Sequence, residues 1–196
     1  MEAVNRNRKS SPFVIWLAWA GGSFLAAACA LGLTLVILRV SGVNEDRWMG
    51  RILVPALVIL LGVAQALVLS LRLKRAGWWV GVTAAGCALT ILIFMLISKL
   101  ASMGLVNPFG MTTTLTLMIY GACTGVVQWV YLRRRWAQAI WWIPASIIGW
   151  ALPGILVGPV FTNLNQMTWV GLVPAAVTGL LVAWWFSGDP GEKGIS

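Results

Sequence analysis

Charges along this chain fall into short clusters separated by long uncharged, mostly apolar stretches at residues 10–38, 52–71, 76–98, 101–132 and 136–188. A helix that crosses a hydrocarbon core of about 30 Å needs about twenty consecutive residues of this kind. The last stretch is too long for one crossing. It divides at Phe161-Thr-Asn-Leu-Asn-Gln166, whose polar side chains would need water or protein partners among lipid tails. The pattern predicts an all-α, polytopic integral membrane protein of six transmembrane helices, near 13–38, 52–72, 77–98, 112–132, 138–160 and 168–187, in one domain covering 1–196.

A second pattern lies over the first. Residues 62–89 laid on 125–152, an offset of 63 without a gap, agree at eleven of 28 positions. Gly62/Gly125, Gln65/Gln128, Arg72/Arg135, Trp78/Trp141, Trp79/Trp142 and Gly86/Gly149 are among them. Matched Gln and Trp do not follow from apolar composition alone. One further step of 63 carries Trp79 back to Trp16 and puts Ser23 in the place of Gly86, and Leu172-Val-Pro-Ala175 repeats Leu53-Val-Pro-Ala56 at a shorter offset. Three related helical hairpins, the third with a shortened connection, describe these matches, and they suit a bundle with pseudo-threefold symmetry about the membrane normal. Pro55 and Pro174 then fall near their helix starts, where a lost hydrogen bond costs least. Pro144, Pro153 and Pro159 make the fifth helix the one expected to kink.

Composition narrows the class. Only 10% of the 196 residues are charged, 60% are hydrophobic, and the mean hydropathy is +0.88; a soluble domain carries about a quarter charged residues. The net charge of +9 is clustered between the spans, which is a membrane pattern and not a nucleic-acid-binding face. Ten of the fourteen basic residues (Arg6, Arg8, Lys9, Arg72, Lys74, Arg75, Arg133, Arg134, Arg135 and Lys193) fall on one side of the predicted topology. The positive-inside rule therefore places both termini in the cytoplasm, with the first helix a retained signal anchor. The chain has no His, and every Asp and Glu lies outside the apolar runs. Ser23 and Ser146 have no base at membrane depth, metal ligands are missing, and catalysis is not expected.

Candidate chemistry concentrates at one level. Gln65 and Gln128 precede the basic clusters by five to seven residues, which puts their amides roughly 7–10 Å above the interface at 1.5 Å per residue. An amide there needs partners. Either it bonds across helices to a carbonyl or to the other amide, or it lines a polar cavity. Thirteen Trp exceed what interfacial anchoring requires. Gln65, Gln128, Trp79, Trp129, Trp142 and Trp150 are the candidate ligand-binding set, for a lipid, carotenoid, quinone or chlorin, with no His-ligated haem.

Cys29, Cys87 and Cys123 suit small packing residues. Rows of small residues such as Gly77-Gly81-Ala85, Gly121-Gly125 and Ala175-Gly179 suit close helix approach. Arg39, Glu45, Asp46, Arg47 and Trp48 fall in an outer segment expected as a solvated loop, with a short interfacial helix or a docking face for a partner as the alternatives, and Asn163, Asn165 and Gln166 in an outer turn.

Gly121-x-x-x-Gly125-x-x-Gln128-Trp129, followed by Trp141-Trp142 and Gly149-Trp150, resembles uncharacterised bacterial multi-span membrane proteins with a repeated Gln-Trp motif. In the earlier copy Ala66 replaces the Trp that would follow Gln65. That resemblance implies a bacterial inner (cytoplasmic) or internal membrane and no activity. Length and six helices with both ends inside also resemble the substrate-capture subunits of energy-coupling-factor transporters, an architectural likeness only. The expected function is a non-catalytic integral subunit or scaffold of a larger membrane complex, in contact with lipid and other integral subunits and holding lipid or a hydrophobic pigment or quinone. The alternative is a protein that binds or transports a small neutral solute.

Overall fold

The computed structural model describes residues 11–42, 45–71, 73–105, 113–157 and 164–187. They form six long helices: α1 (Pro12–Ser41), α2 (Glu45–Leu69), α3 (Trp78–Ser102), α4 (Thr113–Leu132), α5 (Trp142–Val157) and α6 (Leu164–Ser187). A 3-10 turn, Ala137–Trp141, leads into α5, and no strand occurs among the described residues. α1 to α5, the last with its 3-10 turn, carry apolar segments long enough to cross a membrane, and α6 contains the shorter apolar stretch Leu172–Phe186.

Several boundaries differ from the sequence expectation. α2 begins at Glu45, so Glu45 to Trp48 are the first turn of a long helix, neither a solvated loop nor a separate short helix; acidic residues are favoured in a helix's first turn, where the backbone N–H groups are unpaired. α6 likewise begins at Leu164 and takes in Asn165 and Gln166. Pro55 and Pro174 consequently sit well inside their helices. Pro159 and Asn163 lie outside the described residues, while Pro153 is interior to α5. α1 ends on Gly42, whose φ of 64° lets its N–H cap the carbonyl of Leu38 at 3.1 Å.

Each helix packs on its chain neighbours, and α6 returns to pack on α1, which closes a ring. The surface is inverted relative to a soluble protein. Leu17, Leu25, Val36, Ile59, Leu67, Leu92, Leu96 and Leu180 are exposed, whereas Ser23, Thr34, Gln65, Thr83, Thr90, Thr124, Gln128, Ser146 and Thr178 are buried. An exterior this apolar belongs in lipid. Several buried hydroxyls bond back to their own backbone, as Thr34 Oγ1 does to Ala30 O and Thr90 Oγ1 to Gly86 O.

Lipid tails offer helices no hydrophobic reason to associate, so contact must come from close backbone packing. A Cβ on Gly86 would stand 2.8 Å from Thr124 Cα, one on Gly149 2.9 Å from Pro174 Cα, and one on Gly154 2.7 Å from Thr114 Cα. Gly121 and Gly125 bring α4 against Ser146 and Ile147 of α5 in the same way. The row Gly77-Gly81-Ala85 behaves differently: it faces outward, with open space around both glycines. Gly86→Ala and Gly149→Ala should therefore each cost about 1–3 kcal/mol from overpacking. Gly81→Ala should leave stability unchanged or raise it by up to about 1 kcal/mol. Unfolding titrations with SDS in bicelles would measure all three; equal effects at Gly86 and Gly81 would contradict this packing.

Candidate functional site

The centre of the ring, near the end where α2 turns into α3 and α4 into α5, is built from tryptophan. Trp19, Trp79 and Trp142 enter from α1, α3 and α5 and are almost wholly buried. Each meets the other two edge to face, with centroids 6.2 Å apart for Trp19–Trp79, 5.9 Å for Trp19–Trp142 and 5.7 Å for Trp79–Trp142. Such pairs contribute about 0.5–1.5 kcal/mol each beyond simple burial. Trp185 stacks on Trp142 and on Trp136, extending the aromatic plug towards the turn between α4 and α5.

The residue that completes the trio is Trp19 and not Trp16. Trp16 lies half-buried between α1 and α6 and donates to the Ala176 carbonyl at 3.0 Å. The offset of 63 residues aligns Trp16 with Trp79 and Trp142, whereas the ring that meets them in the structure lies three residues further on. Ser23 accordingly corresponds to Thr83 and Ser146, one helical turn beyond each central Trp.

An indole N–H is donor only. Trp79 Nε1 donates to Gln65 Oε1 at 2.9 Å, and Trp142 Nε1 to Gln128 Oε1 at 2.8 Å. That fixes which end of each amide faces the indole. The nitrogen ends then point to the preceding helix: Gln65 Nε2 donates to Ser23 Oγ at 3.4 Å, and Gln128 Nε2 to Thr83 Oγ1 at 3.2 Å. Each glutamine therefore joins three consecutive helices. Neither amide bonds a carbonyl or the other amide.

The third instance is shorter. Trp19 Nε1 donates to Thr178 Oγ1 on α6 at 3.2 Å, which closes the ring, but Thr178 turns its own hydroxyl hydrogen to Pro174 O at 2.8 Å. It sends nothing to Ser146.

Beside this gap lies a partly open cavity of about 40 Å³. Gln65, Thr83, Gln128, Ser146 and Thr178 give it polar walls, Leu57 and Leu61 an apolar side, and Trp142 and Trp150 aromatic faces. Of the candidate set, Gln65, Gln128, Trp142 and Trp150 meet at this cavity, and Trp79 bonds to its wall. Trp150 packs on Tyr120 with centroids 4.4 Å apart. Trp129 stands apart, half-buried beneath the Arg133 guanidinium, which lies 5.0 Å above its ring.

Sequence reasoning missed Trp19, Ser23, Thr83, Ser146 and Thr178 as partners. The available signal was the Trp-x-x-x-Ser/Thr spacing at Trp19, Trp79 and Trp142, which puts both side chains on one helix face. The paired tryptophans split consistently, with Trp78, Trp141 and Trp184 outward and Trp79, Trp142 and Trp185 inward.

Comparison with protein-family models, with curated proteins and with solved structures found no match to this chain.

Removing one partner of an indole–amide pair leaves the other unsatisfied, which costs about 1–3 kcal/mol. Gln128→Leu and Trp142→Phe should each destabilise the fold by that amount. In a double-mutant cycle they should couple by about 0.6 kcal/mol, the average for polar pairs between membrane helices, and by no more than about 1.7 kcal/mol. Strict additivity in SDS unfolding would show that the 2.8 Å contact contributes nothing.

Proposed function

We propose that this chain is a non-catalytic integral subunit or scaffold of a larger complex in a bacterial inner or internal membrane. It would cross the bilayer six times as three repeated hairpins with both termini cytoplasmic. The reading of six crossings is supported by the closed ring, since α6 can pack between α5 and α1 only if it runs through the bundle beside them. The repeat is supported by recurrence of the Trp–acceptor bond at Trp79/Gln65, Trp142/Gln128 and Trp19/Thr178. Exposed Lys74, Arg75, Arg133, Arg134 and Arg135 at the two aromatic-end turns support the orientation.

The observation that carries the scaffold reading is α3. Beyond Thr90 this helix has no buried residue among those described, and Ile91, Leu92, Met95, Leu96 and Met103 are exposed. A rigid, locked bundle that extends an apolar helix half away from its own core offers that half to lipid or to helices of other integral subunits. The central tryptophans are committed to one another, so the interior serves rigidity, and the outer faces are where lipid, a carotenoid, a quinone or a chlorin would lie. The outward Trp78, Trp141 and Trp184 suit the head-group level, and the arginines beside them would draw anionic lipid at about 1 kcal/mol per charge.

Affinity purification in mild detergent should recover other integral proteins in stoichiometric amount, and Leu92→Lys with Leu96→Lys should release them without unfolding the chain. A bare monomer or homo-oligomer, with no co-purifying subunit, would count against the scaffold reading. Separately, Lys74→Cys should react with a membrane-impermeant maleimide only after the membrane is opened, and Met103→Cys in intact cells. The reverse labelling would overturn the orientation.

A further inference from the structure

We propose that the cavity beside Ser146 and Thr178 is a binding site for one small, neutral, hydrogen-bonding guest, between water and formamide in size, that supplies the donor a third glutamine would have supplied. The inference stands independently of the scaffold reading. In two of the three recurrences, a carboxamide spans from an indole on one side to a hydroxyl on the other, as in Trp142–Gln128–Thr83. In the third, Thr178 accepts from Trp19 but is too short to go further, and its hydroxyl hydrogen is spent on Pro174 O.

Ser146 is the hydroxyl left over. It is 2% exposed as a residue, yet its Oγ opens onto the cavity and is not sealed in protein, and no hydrogen bond to it is found among the described residues. A hydroxyl that faces such a cavity without a protein partner forgoes a hydrogen bond until a guest supplies one. The space is the right kind to relieve it. Gln128 uses one of its two Nε2 hydrogens on Thr83 and keeps the other, so the wall presents a donor as well as the Ser146 oxygen and its hydrogen.

A cavity of about 40 Å³ exceeds the roughly 10–15 Å³ that one water requires, and it is far below the roughly 150 Å³ that admits an aromatic ring. The carotenoids, quinones and chlorins considered for the Gln65, Gln128, Trp142 and Trp150 level therefore do not fit inside it. No lining residue is charged, so an ion would have to shed its hydration without compensation. What remains is a neutral molecule of about one to three heavy atoms that both donates and accepts. Resident water and a small amide from solution share that chemistry.

Solution NMR on the full chain in nanodiscs, with ¹⁵N side-chain labels, separates the two sources. In the unaltered protein, the Gln128 Hε2 protons should show exchange-free cross-peaks to a long-lived water. Titration with formamide should then either shift the Gln128 and Trp142 side-chain signals saturably, which assigns a site open to solutes, or leave them fixed, which assigns resident water. Neither cross-peak nor saturable shift would overturn the proposal. Thr178→Gln should abolish both signals while the Trp79 indole resonance stays in place, and full retention of them in that variant would place the guest elsewhere and also overturn it. Should Thr178→Gln not fold, Ser146→Ala provides the second reading. It should weaken the water cross-peak severalfold, and an unchanged peak would refute the role of Ser146.

Discussion

An indole N–H or a carboxamide placed in hydrocarbon is costly without a partner within the protein, and this cost organises the centre of the bundle, where among the described residues Trp185 Nε1 is the buried side-chain polar atom left without one. Trp79 and Trp142 each hand their single hydrogen to a glutamine one helix back, and each glutamine passes a hydrogen to a hydroxyl one helix further back. A side chain that must touch two neighbours at once tolerates little rotation or sliding of its helix. The polar bonds set register, while the glycines at 86, 121, 125, 149 and 154 allow the approach that makes the bonds reachable.

The tryptophans serve two ends with one composition. A Trp-Trp pair at a helix start places its first ring on the outside and its second in the centre, because successive residues of a helix point about 100° apart. The outward rings suit an interface, where a flat amphipathic ring is at home. The inward ones fill the axis of a six-helix ring that smaller side chains would leave hollow. Three rings arranged edge to face occupy that axis without needing a cofactor to complete them.

Closure of the ring is where the pattern departs from itself. α6 carries Thr178 where α2 and α4 carry glutamine, so the bond from Trp19 is kept and the onward bond is lost. The tightest polar network and the only polar gap described in it come from the same three-part arrangement. Because threonine carries its polar atom at the γ position, two bonds short of glutamine's ε atoms, the substitution is accompanied by a chamber of molecular dimensions beside it. A core locked in this way leaves the outer apolar faces as the surface on which the proposed scaffold role would rest.

The long uncharged runs were enough to determine an all-helical chain with apolar segments of membrane-spanning length. Polar residues within those runs, above all Gln65 and Gln128, were marked as constrained, since hydrocarbon penalises any unpaired polar group. Helix ends were less legible: α2 and α6 start earlier than the apolar runs, because a helix can continue through polar residues once it leaves the oil. The inward face of each helix was invisible for a related reason. Lipid is as apolar as the core, so outward and inward positions carry the same kinds of residue and the hydrophobic pattern has no contrast to read. Only the tertiary structure decided that Trp19 takes the place expected for Trp16, that Ser23, Thr83 and Ser146 are the onward acceptor positions, and that Thr178 stands in for a third glutamine. Those assignments depend on distances between helices far apart in the chain, 159 residues apart for Trp19 and Thr178. No local spacing encodes which distant hydroxyl an indole will meet.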